Sequence, residues 1–444
     1  MVSESTPPPL VRQRCFLALA AFVFLTRLAF WLLTDHVLDG EENFRILFAI
    51  EPEPWRYSMI GPLHLMLLKI MISLFDHPLL VGPLVTFLCS FGVFWLGTAL
   101  AWRLYHDEKA AAATALFLGF GPIFLRYSTL AKVEPIYTFA LMLCLWFLTS
   151  HPRRVGHLLA AAGALAAATA LRFESWALVP ILTAVIWLRP RDMSRWLAAL
   201  VFGLPAVVFP IIWLVLRYFL DGNPLDSYQL ISEAGVASFS WSEWTRTFFP
   251  AATFAFLAAA GLGAVTRRPR WPVAFGVLLM VLVLVPVVRF GLPSYDMKYM
   301  FAPLAFLSLA AGAGVAWLGD RARPRVIKHA VAVLMLVFLV ESFAGFHRAM
   351  NEQQVPENAP AVLDYVRRAP GECTVVVNSI ANRYRSYFEV LARGGCRFVE
   401  PNTPSAAAAM FTLGLDKGLG MDCPASTSAV PFLPWYLCEK PAAP

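Results

Sequence analysis

The chain has 444 residues, 59% of them apolar and only 15% charged, with a mean hydropathy of +0.63. Those values exclude an ordinary soluble domain and place the chain among polytopic membrane proteins. The net charge of +7 does not point to nucleic acid, because Lys and Arg fall in short clusters between apolar runs, the pattern that orients membrane proteins.

Residues 1–14 form a polar, Pro-rich tail carrying Arg12 and Arg14. No small-residue cleavage site follows the next apolar run, so that run reads as an uncleaved first span. A crossing helix needs roughly 20 apolar residues. The candidates are 15–34, 79–102, 110–126, 134–150, 156–171, 174–188, 195–219, 249–266, 272–290, 298–318 and 326–347, eleven in all.

A further apolar stretch, 59–75, decides the topology. If it crossed, the clusters at Arg103 and Lys109, Arg153 and Arg154, Arg189 to Arg195, Arg267 to Arg270 and Arg321 to Lys328 would all face outward. Lying in the interface, it leaves them all inside with Arg12 and Arg14, as positive-inside orientation requires. The N-terminus is then cytoplasmic and residues 348–444 are extracytoplasmic. Cys373, Cys396, Cys423 and Cys438 all fall in that C-terminal region. An even set there suggests two disulfides and an oxidising compartment.

Within 348–444, residues 357–368 predict an amphipathic helix, Cys373 to Asn378 a β-branched strand, Arg383 to Arg393 a second helix and Arg397 to Glu400 another strand. This is a small α/β domain. Pro401 to Pro444, rich in Pro, Ala, Ser and Gly, reads as loop. The expected fold class is therefore an all-α polytopic membrane protein with about eleven spans and an interfacial helix, plus that domain.

The outer face receives the loops 35–58, 126–134, the turn near 172, 220–248 and 289–298. They mix acids with bases and aromatics: Asp39, Glu41 and Glu42; Lys132 and Glu134; Arg172 and Glu174; Arg289, Lys298 and Tyr299. The spans flanking Arg172-Phe173-Glu174 are short, about 16 and 15 residues, so this turn should sink into the outer leaflet. Charges at that depth face a protein interior or a wet cavity. Such a set suits a carboxylate base acting on a hydroxyl while cations hold an anionic leaving group such as a lipid phosphate. Blander readings also fit individual groups. Asp39 to Glu42 make an ordinary solvated loop, Glu134 before Pro135 a helix-start acid, and Arg172 with Glu174 a structural pair. The scattered histidines give no metal spacing.

Several stretches, in order, resemble the C-type membrane glycosyltransferases, in the branch of protein O-mannosyltransferases and aminoarabinose transferases. They are Glu41-Glu42 with Phe44, Trp55 with Gly61-Pro62-Leu63, Leu130 to Glu134, Asp221 to Leu225, and Lys298-Tyr299 followed by Pro303. The similarity spans about residues 10–345. It implies transfer of a sugar from a polyprenyl-phosphate donor to a lipid, glycan or protein acceptor on the outer face of the plasma membrane. Glu41 falls at the family's base, with Asp39 and Glu42 as neighbours. Glu134 falls where an acceptor or a divalent metal is positioned, and Lys298 with Arg172 where donor phosphate is contacted. Lys298 stands where the family has Arg, which gives up bidentate contact. Two rivals differ in class: a transporter or flippase of lipid-linked intermediates, which predicts paired repeats not found here, and a non-catalytic scaffold.

Overall fold

A computed structural model describes residues 14–33, 45, 46, 49, 61–75, 78–150, 154–188, 193–222, 254–290, 297–321, 325–352, 359–368, 374–377, 396–399, 411–415, 428–432 and 435–439. These belong to two units, one of residues 1–30, 55–67 and 83–349, the other of 31–54, 68–82 and 350–444.

Thirteen helices precede the C-terminal region among the described residues. They are α1 (Arg14–Leu33), α2 (Leu63–Phe75), α3 (Pro78–Tyr105), α4 (Glu108–Phe120), α5 (Pro122–Arg126), α6 (Val133–Ser150), α7 (Val155–Leu171), α8 (Leu178–Leu188), α9 (Arg195–Asp221), α10 (Phe254–Thr266), α11 (Trp271–Phe290), α12 (Phe301–Arg321) and α13 (Arg325–Glu352). Two 3₁₀ turns, Phe173–Ala177 and Met297–Met300, lead into α8 and α12. Four helical stretches are long and apolar enough to cross a membrane: 83–105, 133–150, 195–220 and 298–321. Seven shorter apolar helices accompany them among the described residues. Helix α2, at 13 residues, spans about 20 Å, less than the roughly 30 Å hydrocarbon core.

Helix α12 is the axis of the first unit. Every residue from Phe301 to Ala316 is buried, and α4, α6, α10 and α11 all pack on it. Small residues permit the approach: a Cβ on Gly312 would overlap Thr114 of α4, and one on Gly314 the Ala259 carbonyl of α10. Outward-facing Leu, Ile and Phe on α9, such as Leu204, Ile212 and Phe219, are exposed, as expected of helices whose solvent is lipid.

The expected span 110–126 is not one helix. It breaks at Gly121, because Pro122 has no N–H for the Leu118 carbonyl and its ring would collide with that carbonyl in a continuing helix.

In the second unit, β1 (Thr374–Val377), β2 (Arg397–Val399), β3 (Phe411–Leu415), β4 (Ser428–Phe432) and β5 (Trp435–Glu439) form a sheet of order β2-β1-β3-β5-β4. β1 pairs in parallel with β2 and β3, and β5 antiparallel with β3 and β4. Helix α14 (Ala359–Arg368) packs on β4 and β5. The expected strands at 373–378 and 397–400 are present, and Cys396 is disulfide-bonded. The loop expected over Pro401 to Pro444 is corrected: three strands lie there. Strand preference depends on pairing neighbours, and Pro431 is tolerated because β4 is an edge strand. The helix expected at Arg383 to Arg393 lies outside the described residues.

Candidate active site

Helix α6 opens on Val133-Glu134-Pro135. Pro is compatible with a first turn, whose N–H groups have no helical acceptor, and the positive end of the helix dipole favours an acid there. Glu134 is thereby fixed at the mouth of α6, with Tyr137 one turn on, on the same face. Helix α7 stops at Leu171, and Arg172 adopts extended geometry (φ −149°, ψ 135°) that turns the chain sharply into the 3₁₀ turn. The turn is pinned three ways. The Ser175 hydroxyl donates to the Arg172 carbonyl at 2.5 Å, the Trp176 indole N–H donates to the Thr169 carbonyl at 3.0 Å, and Gly61 lies so close that a Cβ there would overlap the Ala170 carbonyl.

The Arg172 side chain joins these pieces. Its Nε and Nη2 donate to the two oxygens of Glu174 at 3.1 and 2.5 Å, and Nη1 donates to Glu134 Oε1 at 2.5 Å. The fork-on-carboxylate geometry is the strong form of the ion pair. Arg172 and Glu134 side chains are only 5% and 2% exposed, so water screens them little. The guanidinium lies 4.7 Å from the Tyr299 ring centre, and Lys298 Nζ lies 5.2 Å from the same ring. Glu134 Oε2 is buried and has no partner among the described residues.

These six side chains, Glu134, Tyr137, Arg172, Glu174, Lys298 and Tyr299, line one cavity of about 310 Å³, including space open to solvent. Leu279 and Val283 of α11 and Ala302 and Pro303 of α12 supply its apolar wall. Two acids and two bases thus face one hollow. Ionic groups there act at reduced dielectric.

Five residues singled out from the sequence, Glu134, Arg172, Glu174, Lys298 and Tyr299, come together. Lys132 is fully buried and is not part of the cavity lining; its carbonyl accepts from the Thr86 hydroxyl at 3.0 Å. Arg289 lies on α11, but its side chain is outside the described residues, as are Asp39, Glu41 and Glu42. Tyr137 was missed, although its spacing from Glu134 on α6 signals it. Among the described residues no three His, Cys, Asp or Glu side chains gather as metal ligands. In the cavity Glu134 Oε2 is a carboxylate oxygen left open, and one ligand does not make a metal site.

No protein-family model matches the chain, and no curated protein sequence matches it. The fold nevertheless has counterparts among solved structures. The chain is similar to ArnT from Cupriavidus metallidurans bound to undecaprenyl phosphate, at TM-score 0.63 and 13% identity over 95% of this chain and 97% of that one. It is also similar to the oligosaccharyltransferase of Archaeoglobus fulgidus in its apo form, at TM-score 0.55 and 12% identity over 90% of this chain and 69% of that one. The archaeal AglB in complex with an inhibitory peptide and a dolichol-phosphate gives TM-score 0.54, with the same identity and coverage.

Proposed function

We propose that this chain is a membrane glycosyltransferase that takes a sugar from a polyprenyl-phosphate donor and passes it to a lipid, glycan or protein acceptor on the extracytoplasmic face. The observation that carries the reading is the Glu134–Arg172–Glu174 cluster, set with Lys298 and Tyr299 around one cavity in this fold. Solved neighbours that hold undecaprenyl phosphate and dolichol-phosphate support a lipid-phosphate donor. The disulfide at Cys396 supports an oxidising, extracytoplasmic location for residues 348–444, and with it a cytoplasmic N-terminus.

In this reading an acid of the loop 35–78, Glu41 first with Asp39 and Glu42 beside it, takes the acceptor proton as the acceptor oxygen attacks the anomeric carbon. The lipid phosphate leaves with the bonding electrons. Lys298 offsets its charge, while Arg172 holds Glu134 and Glu174 in register; a phosphate that reaches Arg172 must displace one of those carboxylates. Glu134 Oε2 accepts from a hydroxyl of the sugar or the acceptor. Arg289 acts as a flanking cation, and Tyr299 offers a ring face to the sugar.

The test supplies purified protein in lipid with a labelled polyprenyl-phosphate hexose and a pool of acceptors. Wild type releases free lipid phosphate, and Glu41→Gln does not. Undiminished release by Glu41→Gln, Asp39→Asn and Glu42→Gln alike sinks the base assignment. Labelled lipid crossing the bilayer without loss of its sugar favours the flippase instead.

A further inference from the structure

Arg27 lies in the first apolar span yet is 1% exposed, among the most buried large side chains of the protein. A guanidinium at such a depth is costly unless something specific holds it. Among the described residues no carboxylate pairs with it. Its Nη1 donates to the Ser90 hydroxyl of α3 at 2.8 Å, and its Nη2 to the Leu118 carbonyl of α4 at 2.6 Å.

That carbonyl explains the arginine. Helix α4 ends at Phe120, and its last carbonyls have no helical donors. Phe117 is satisfied by the Gly121 N–H at 2.9 Å. The donor for Leu118 would come from residue 122, which is proline and has none. Arg27 supplies the missing donor from another helix, and its positive charge sits at the negative end of the α4 dipole, where a cation is favoured.

The break it caps leads to the candidate site by two routes. Helix α5 packs on the 3₁₀ turn that carries Lys298 and Tyr299, and Phe124 of α5 meets Phe301 edge-on at 5.0 Å. Beyond α5, the wholly buried segment 127–132 runs into Glu134.

We infer that Arg27 is a positioning residue: by capping the interrupted end of α4 it fixes the bend that sets Lys298, Tyr299 and Glu134 around the cavity. The step from this geometry to turnover rests on the transferase reading above.

The test compares wild type with Arg27→Met, Pro122→Ala and the double variant, as full-length protein in lipid, reading the thermal midpoint and then kcat and KM for a labelled polyprenyl-phosphate hexose well below that midpoint. Arg27→Met lowers the midpoint by several degrees and kcat by about ten- to a hundredfold, as expected when reacting groups shift by about 1 Å. Adding Pro122→Ala restores an N–H at position 122, so α4 can continue and satisfy Leu118 itself. The midpoint then recovers while kcat stays low, a split that a purely structural arginine does not produce. If Arg27→Met does not fold, the same cycle on Arg27→Lys gives the same pattern at smaller amplitude. A double variant no more stable than the arginine variant alone overturns the capping role. A stable double variant with wild-type kcat overturns the positioning role. Wild type without transfer activity refutes the transferase reading, while the stability arm of the cycle still tests the cap.

Discussion

Two ionic clusters of the first unit have the same composition and opposite settings. Glu134, Glu174, Arg172 and Lys298 line the cavity. Asp107, Asp320, Lys109 and Arg267 lie at helix ends, where Arg267 Nη2 reaches Asp107 at 3.3 Å and Asp320 at 2.5 Å, and Lys109 Nζ reaches Asp320 at 2.7 Å. Each ties several elements together. Lys109 and Asp320 side chains are 63% and 43% exposed, whereas Arg172 and Glu134 are almost wholly buried. Water therefore decides the difference: in the open cluster it competes with every contact, and in the cavity each charge depends on its partners. Two acids and two bases make a staple in one place and a candidate reaction site in the other.

The comparison breaks most sharply at Arg172. In Arg172→Met a buried carboxylate, Glu134, and a half-buried one, Glu174, lose their shared cation, a loss of about 3–5 kcal/mol in unfolding free energy. Denaturant unfolding in detergent measures it. Removing the stranded charges as well, with Glu134→Gln and Glu174→Gln, recovers most of that stability but no transfer. An Arg172→Met protein as stable as wild type would mean that the cavity is wet enough to solvate the acids.

Tyr299 sharpens the same contrast at smaller scale. Its ring faces both Arg172 and Lys298. Tyr299→Leu costs about 1 kcal/mol through the lost cation–π contacts and raises KM for the sugar donor more than it lowers kcat. A fall in kcat with KM unchanged would instead assign the phenol a role in the chemical step.

What could be read from the sequence follows the same division. Arg172 and Glu174 were legible because they join two short apolar runs, and Glu134, Lys298 and Tyr299 because the charge pattern puts them on the same face as that turn. Arg27 was not, because it sat inside a run long enough to span, and its partner Leu118 is 91 positions away and is met through a backbone carbonyl that carries no side-chain signature. The break at Gly121-Pro122 was legible in principle from proline alone, but it was submerged in the apolar count over 110–126. Strands β3 to β5 were obscured for a related reason: their pairing is with residues outside their own stretch, and local Pro and Gly content argues against strands. The loop acids Asp39, Glu41 and Glu42 stand on the sequence pattern and the resemblance, since the described residues do not include them.

The smallest expected effect lies in the open cluster and tests the claim about water directly. Lys109 is mostly exposed, and its hydrogen bond to Asp320 raises its pKa above the ordinary lysine value, with the Asp320 charge adding to the shift. A group whose folded pKa is raised contributes stability that is complete below its unfolded pKa and fades as pH rises through the folded value. The thermal-midpoint gap between wild type and Lys109→Met is therefore small and flat through neutral pH. It closes only above the ordinary lysine range. At neutral pH, added salt shrinks it, since at about 1 M the screening length falls to about 3 Å. Thermal scans across pH and salt give both readings. A gap that widens at alkaline pH, or ignores salt, would show that the exposed cluster is held by something other than screened charge, and the contrast with the cavity would fail at this end.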